Sequence, residues 1–378
     1  MDFNHYRKLF PVTNDAIYLN HAAIAPLSLK VQQTIQSFLL KRGGMMPDLE
    51  SEIENEITLL KKNIARLTGA DKDRIAIVKN TSEGMNWLAQ GLSWHRGDKI
   101  LMADCEFPAN VYPFLNLERK GVEVVFMPVN DRAITPELIE SSITPGTKLL
   151  TLSFVQFSNG FRADLETIGK ICKENNIIFA VDGIQGVGAV PLDVKRCSVD
   201  FLANGGHKWL MGPAGCGFMY ISPEIESSLT QPFVGWLSVK NSWDFFDYRL
   251  ALKENAEKYE IGTANFIGIY GARASTDLLL AVSPEKILPH IIGLGSQLIE
   301  GLSDIGYKPV SILDPPSRSG ILTFHGRETD ALFAYLQKNK IIVSRRGGGI
   351  RISPHFYNNR DDIDGLIESC RYFFSKKK

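Results

Sequence analysis

Short apolar runs alternate with amphipathic stretches through the first half of the chain, and few folds accept that order. Residues 75–78, 99–102, 122–127, 148–152 and 177–181 are runs rich in isoleucine, leucine and valine. Strands buried on both faces have this composition, whereas a strand with one wet face alternates apolar and polar residues. Between them, 82–92, 110–119, 136–142 and 165–174 carry apolar residues at helical spacing. Parallel neighbours in a sheet cannot be joined by a tight turn, so the intervening helices read as crossovers. The expectation is an α/β fold: a largely parallel sheet covered by helices on both faces.

After Asp200 the texture changes. Residues 201–204 and 217–221 read as further strands separated by glycine-rich turns, and 267–282 and 284–305 as two long helices. Strands at 320–324, 341–343 and 350–352, with helices at 329–338 and 361–374, predict a smaller α+β unit. Pro284 fits the first turn of a restarted helix, which puts the boundary beside it. The expected division is a large domain over 16–282 and a small C-terminal domain over 283–378, joined by the N-terminal segment 1–15.

Charge and cysteine usage exclude several classes. Lysine plus arginine and aspartate plus glutamate number 42 each, without the basic excess of a phosphate-tracking, nucleic-acid-binding protein. The five cysteines are scattered and form no CxxC, so neither a disulfide framework nor a zinc knuckle is expected; reduced thiols suit a cytoplasmic protein. Residues 1–10 lack the apolar core of a signal peptide, and no apolar run reaches the length of a membrane span. Gly183-Ile184-Gln185-Gly186-Val187-Gly188 lacks the spacing of a dinucleotide loop, and no Walker A pattern occurs.

The chemistry-bearing residues fall where strands end. The run 177–181 leads into Asp182-Gly183-Ile184-Gln185, and ligands of α/β sheets bind beyond the carboxyl ends of strands. Alone, Asp182 reads equally well as a turn aspartate. Lys208, in Gly205-Gly206-His207-Lys208-Trp209, follows the next strand; glycines beside it let backbone approach a ligand, and apolar neighbours would desolvate the amine and make it nucleophilic. A lysine whose stem packs while its ammonium reaches water is the commoner use of such a residue. Asn80-Thr81-Ser82-Glu83 opens a helix, which serves as plain capping or as an anion site.

Taken together, Val181-Asp182-Gly183-Ile184-Gln185 and Gly206-His207-Lys208 resemble the fold-type I pyridoxal-5′-phosphate (PLP) enzymes of aminotransferase class V. That family includes cysteine desulfurases, kynureninases, isopenicillin N epimerase and small-molecule aminotransferases. The resemblance runs from about Tyr18 to Ile367. It implies the PLP-dependent transferase architecture: a large domain with a mostly parallel mixed sheet between helices, plus a smaller α+β C-terminal domain. It implies PLP as cofactor, held as a Schiff base by Lys208, which then acts as general base and acid. Asp182 would keep the pyridine nitrogen protonated, which makes the ring a better electron sink. Gln185 would bond the phenolic oxygen, and His207 would sit by the phosphate or ring. Thr81 and Ser82 would grip the phosphate, and Gly262-Thr263 would reach a phosphate across a homodimer interface. Phe107 would stack on the ring, and Gln156 or Asn159 would contact cofactor or substrate. Arg351 matches the arginine that receives an α-carboxylate, with Arg345 and Arg346 as near competitors. Asn20, His21 and Ala22 resemble the segment that closes over the substrate. Trp236 reads equally as pocket wall and core. One position departs from the pattern: Gly205 stands where many relatives have serine.

The expected substrate is an amino acid, a small molecule. Transamination is the first expectation, and a Cα-lyase or epimerase the alternative. Desulfurases of this family carry a nucleophilic cysteine shortly before the carboxylate arginine, but Val343-Ser344-Arg345-Arg346-Gly347-Gly348-Gly349-Ile350 has none. A PLP-fold protein without catalysis would lack the lysine, the aspartate or the arginine; all three are present.

Overall fold

The computed structural model describes residues 3–44, 49–129 and 133–376. Of the expected domain ranges, residues 1, 2, 45–48, 130–132, 377 and 378 therefore lie outside the described residues. Thirteen strands are described. β1 (Ile17–Tyr18) precedes the strands of the main sheet: β2 (Ile75–Val78), β3 (Lys99–Ala103), β4 (Glu123–Met127), β5 (Thr147–Ser153), β6 (Ile178–Asp182), β7 (Phe201–Gly205) and β8 (Gly217–Ile221). Later come β9 (Lys308–Pro309), β10 (Leu322–His325), β11 (Ile341–Ile342), β12 (Ser344–Arg346) and β13 (Gly349–Ile352).

The main sheet has the order β2-β8-β7-β6-β5-β3-β4. β7, β6, β5, β3 and β4 run parallel, while β8 is antiparallel to both its neighbours. β2 therefore points the same way as the parallel strands. The carboxyl ends of β2, β3, β5, β6 and β7 thus share one edge, and the residues that follow them converge there. The central strands are dry on both faces: Leu149, Leu150 and Leu152 of β5 and Phe179, Ala180 and Val181 of β6 have no exposed surface. Each fully buried leucine contributes about 1.5–3 kcal/mol relative to an exposed one.

Helices flank this sheet, and several start where the sequence supplies a cap. The side chains of Asn80, Thr135, Asp164 and Asn265 accept backbone N–H bonds from the first turns of the helices Thr81–Gly91, Pro136–Ser142, Leu165–Glu174 and Phe266–Val282. The predicted helix over 110–119 is instead three short pieces, Pro108–Asn110, Tyr112–Leu115 and Glu118–Lys120. Pro113 cannot donate into a continuous helix and its ring crowds the carbonyl four residues back, so the chain breaks before it. Two further helices, Leu29–Gly43 and Leu49–Thr68, pack against Phe266–Val282.

The smaller sheet, β12-β13-β10-β9, is antiparallel and backed by the helices Pro284–Ser303, Thr329–Lys338 and Arg360–Ser375. The N-terminal segment joins this part through Arg7, which makes a two-pronged bond to Asp362 at 2.7 and 2.9 Å, and β1, inside the expected large-domain range, also joins it by pairing in parallel with β11. A large mixed α/β sheet with helices and a smaller α+β C-terminal part is the fold-type I arrangement the sequence implied. No single helix among the described residues is long and apolar enough to cross a membrane.

Candidate active site

Lys208 sits in a tight turn after β7. Gly206 N–H donates to the Cys216 carbonyl, Met211 N–H to the Lys208 carbonyl, and Gly212 N–H to the Gly206 carbonyl. The side chain is only 8% exposed, with no hydrogen-bonded carboxylate among the described residues, and its Nζ lies 5.4 Å from the centre of the Phe107 ring. Burial pulls its pKa down to about 8; the nearby Asp182 opposes the shift, and Arg351 and Arg346 add to it. A substantial neutral fraction near pH 8 is what a nucleophilic or proton-abstracting amine needs.

Asp182 closes β6 at the same edge. Its Oδ1 accepts the Ile184 N–H at 2.9 Å, while Oδ2 is buried with no partner. Burial pushes its pKa up to about 7; the Ile184 N–H lowers it, Glu106 raises it, and Lys208 lowers it. An orphaned buried carboxylate oxygen is costly, so its persistence points to a cationic or N–H-bearing ligand beside it. At the helix Thr81–Gly91, the buried Thr81 hydroxyl also has no partner, at a terminus that favours anions. Ser82 is exposed beside it. A poorly solvated amine, an aromatic ring near it, an orphan carboxylate oxygen and an orphan hydroxyl at a helix start fit a phosphorylated pyridine aldehyde.

The other expected residues divide by how many of their polar atoms are already used. Gln185 donates Nε2 to the Ala22 carbonyl at 3.0 Å and accepts the Trp209 indole N–H at 2.8 Å, so it ties the N-terminal segment to the lysine turn. Gln156 donates Nε2 to Glu106 at 2.6 Å and leaves Oε1 buried and unpartnered. Asn159 accepts the Phe161 N–H. His207 is half-buried, its pKa lowered by burial and by Lys208. A side chain at Gly205 would be tight: a Cβ there would lie 3.0 Å from Ile184 Cδ1, which would have to give by a few tenths of an ångström, and 3.4 Å from the His207 ring.

Among the N-terminal candidates, His21 is fully buried, its Nδ1 2.9 Å from the Ser353 carbonyl, and burial lowers its pKa to about 4. Ala22 is buried too, its N–H bonded to Ser353 Oγ. Asn20 is the one left half-exposed, with Oδ1 unpartnered. Gly262 and Thr263 lie at the surface before the helix Phe266–Val282. Trp236 belongs neither to the core nor to the Lys208 turn: it is 41% exposed and packs edge-on against Trp243 at 5.2 Å.

Arg351, on β13, is 2% exposed and has no carboxylate partner among the described residues. Its Nε donates to Ser344 Oγ at 3.1 Å and its Nη1 to the Phe157 carbonyl at 2.7 Å, which fixes the guanidinium toward the loop after β5. Burial lowers its pKa to about 10, and Arg346 adds to that. A fixed cation without a counter-ion is a ready carboxylate receptor.

Glu106 was not singled out in the sequence. Fully enclosed, it accepts from Asn110 Nδ2, the Ser153 N–H and hydroxyl, and Gln156 Nε2 at 2.6–3.0 Å. It thereby sets the orientation of Gln156 and stands as a second buried carboxylate near Asp182. The signal was available: like Asp182, it follows a strand at the ligand-binding edge.

Residues 17–366 match the Aminotransferase class-V family. A probable cysteine desulfurase of Methanothermobacter thermautotrophicus is 26% identical over 393 residues, covering 96% of both chains. An uncharacterized aminotransferase, YcbU, of Bacillus subtilis is 26% identical over 366 residues, again covering 96% of both. Among solved structures, the apo cysteine desulfurase of Thermococcus onnurineus NA1 superposes with a TM-score of 0.91 at 26% identity, covering 99% of this chain and 98% of that one. The cystine C-S lyase C-DES, in complex with cysteine persulfide, shares the fold with a TM-score of 0.88 at 24% identity, over 95% and 98% of the two chains.

Proposed function

The chain belongs to the aminotransferase class-V family, a fold-type I family of PLP enzymes, and from that premise we propose that it is a carbon–sulfur lyase acting on a cysteine-like amino acid. The observation that carries this reading is the absence of a thiol to take up sulfur. Curated relatives described as desulfurases point to chemistry at a carbon–sulfur bond. Here the stretch before Arg351 is a short hairpin, β12 to β13, turning through Gly347 and Gly348 without a cysteine. Cys172, Cys197, Cys216 and Cys370 are buried; Cys105 is partly buried, with its thiol pushed up to about 12 by burial and by Glu106 and Asp104. With no thiolate acceptor, the sulfur leaves on the departing group.

When bound, PLP supplies an electron sink conjugated to the substrate Cα. The chain's residues supply the rest. Lys208 would hold the cofactor and, with its lowered pKa, would take the Cα proton of the substrate. Asp182, whose Oδ2 is unpartnered, would hold the ring nitrogen in its cationic form. Thr81, Ser82 and the N-terminus of their helix would bind the phosphate, and Gly262-Thr263 of a second copy would reach the same group. Phe107 shields the amine from water, Arg351 takes the α-carboxylate, and Asn20 and Gln156 offer acceptors to the substrate. As the Cα proton leaves, its electron pair forms the Cα–Cβ double bond and the Cβ–S bond breaks toward sulfur. Hydrolysis of the resulting enamine gives pyruvate and ammonium.

Transamination and epimerisation use the same lysine, aspartate and arginine, so product analysis decides among them. The holoenzyme is mixed with L-cysteine, L-cystine and other amino acids without an added keto acid. The expected outcome is sustained release of pyruvate, ammonium and a sulfur product in equal amounts. Sulfur-retaining keto acid limited to one turnover overturns the reading in favour of transamination. Accumulation of D-isomer overturns it in favour of epimerisation.

A further inference from the structure

The hairpin that carries Arg351 carries two more arginines, and they face opposite ways. In the β12–β13 pair, Ser344 stands across from Arg351, and Arg346 across from Gly349. Side chains alternate along a strand, so Ser344 and Arg346 share a face and Arg345 lies on the other. Ser344 Oγ bonds the Arg351 guanidinium, which identifies the shared face as the one turned to the active site. Arg345 is neutralised by Asp330 at 2.6 Å. Arg346 has no carboxylate partner among the described residues; its guanidinium donates Nη1 to the Arg345 carbonyl at 2.8 Å. Its charge is felt inside the site, where it disfavours the charged forms of both Lys208 and Arg351. The site mouth therefore holds a second, unneutralised guanidinium on the same wall as the α-carboxylate receptor but nearer solvent.

We propose that Arg346 binds a second anionic group at the far end of the substrate side chain, so that the site selects amino acids bearing a distal carboxylate. The planar fork suits a carboxylate, and an exposed position at the mouth suits the end of a side chain whose α-carbon lies at Lys208. The inference rests on the carbon–sulfur lyase reading only for the identity of the leaving group, which would be a thiol carrying its own carboxylate.

The test uses two ligands of nearly equal size, S-carboxymethyl-L-cysteine and S-carbamoylmethyl-L-cysteine. Dissociation constants are read from the cofactor absorbance of the holoenzyme on mixing, and pyruvate is assayed separately. The wild-type protein is expected to prefer the carboxylate by roughly tenfold, as for a charge-assisted hydrogen bond. In Arg346→Gln that ratio falls to about one, while Arg345→Gln keeps it. Equal affinities in the wild-type protein, or a preference that survives Arg346→Gln, overturn the proposal. So does an equal loss for both ligands, which would place Arg346 on the α-carboxylate instead. If the ratio behaves as expected but neither compound yields pyruvate, Arg346 stands as the specificity residue and the lyase reading falls alone.

Discussion

Asp182 combines a destabilising position with a chemical use. With Oδ2 unpartnered and burial raising its pKa to about 7, the folded cofactor-free protein holds a proton that the unfolded chain, titrating near 4, has already lost. The folded state binds more protons between those values, so Asp182's contribution to stability is present below about pH 4 and is lost as pH rises to about 7, by at most about 1.4 kcal/mol per unit. Asp182→Asn removes the penalty. The expected result is that cofactor-free Asp182→Asn melts higher than the cofactor-free wild-type protein, by a gap that widens from pH 4 to 7 and is flat above. With cofactor the order reverses, because the variant cannot hold the ring nitrogen as a cation. Calorimetry of both forms across that range checks it; a gap independent of pH would remove the burial argument. Asp182, Lys208 and Arg351 were legible because each lies close to the end of a recognisable strand or on one. The bonds that occupy Gln185 were not, because its partner Ala22 lies 163 positions away in the chain. Glu106 was passed over because Phe107 beside it carried the resemblance.

At the scale of elements, strands buried on both faces were readable from composition alone: β2 and β8 fall on the expected ranges, and β3, β5, β6 and β7 within a residue or so. What failed was local chemistry overriding period. Pro113 broke the expected helix, while Leu29–Gly43 gave no clear apolar stripe because only Val31 and Phe38 of it are buried. Loop contacts between elements were also silent in the sequence. Gly160, at φ 75°, ends the loop that begins with Gln156, and a Cβ there would lie 2.1 Å from the Ile321 carbonyl just before β10. That contact lets the loop after β5 meet the small sheet and brings Phe157 to Arg351. Gly97 has a similar φ of 90° but nothing within 4 Å of a Cβ. Gly97→Ala is thus expected to cost about 1–2 kcal/mol, the strain of the left-handed backbone alone. Gly160→Ala must also displace backbone and should cost at least about 2 kcal/mol more. Paired denaturant melts measure the difference; equal losses would show that the loop yields freely.

At the scale of the molecule, we propose the division near Ser283 that the sequence suggested, with the N-terminal segment stitched to the C-terminal part through the Arg7–Asp362 pair and the stacking of Phe10 on Tyr357 at 3.9 Å, and β1 following it to β11. One surface remains unaccounted for within a single chain. Phe233, Trp236, Trp243, Phe245, Phe246 and Tyr248 are all exposed, the last two at 86 and 87%. So many exposed aromatics in one stretch mark an interaction surface. Trp236 lies 3.7 Å from where a side chain on Gly262 would begin, so this surface is continuous with the Gly262-Thr263 segment proposed to reach a second copy's phosphate. A homodimer would bury the aromatics and complete two sites at once. The protein is therefore expected to sediment at twice its 42.1 kDa chain mass. Phe246→Asp combined with Tyr248→Asp touches side chains that contribute little to the chain's own packing, so the variant should keep its circular dichroism while sedimenting as a monomer. If the partner's Gly262-Thr263 segment is what closes the phosphate site, that monomer should also hold PLP at least about tenfold more weakly, the loss of one or two charge-assisted hydrogen bonds. A monomer that retains the cofactor at full affinity would show that Thr81, Ser82 and their helix terminus suffice for the phosphate. A variant that stays dimeric would place the interface elsewhere.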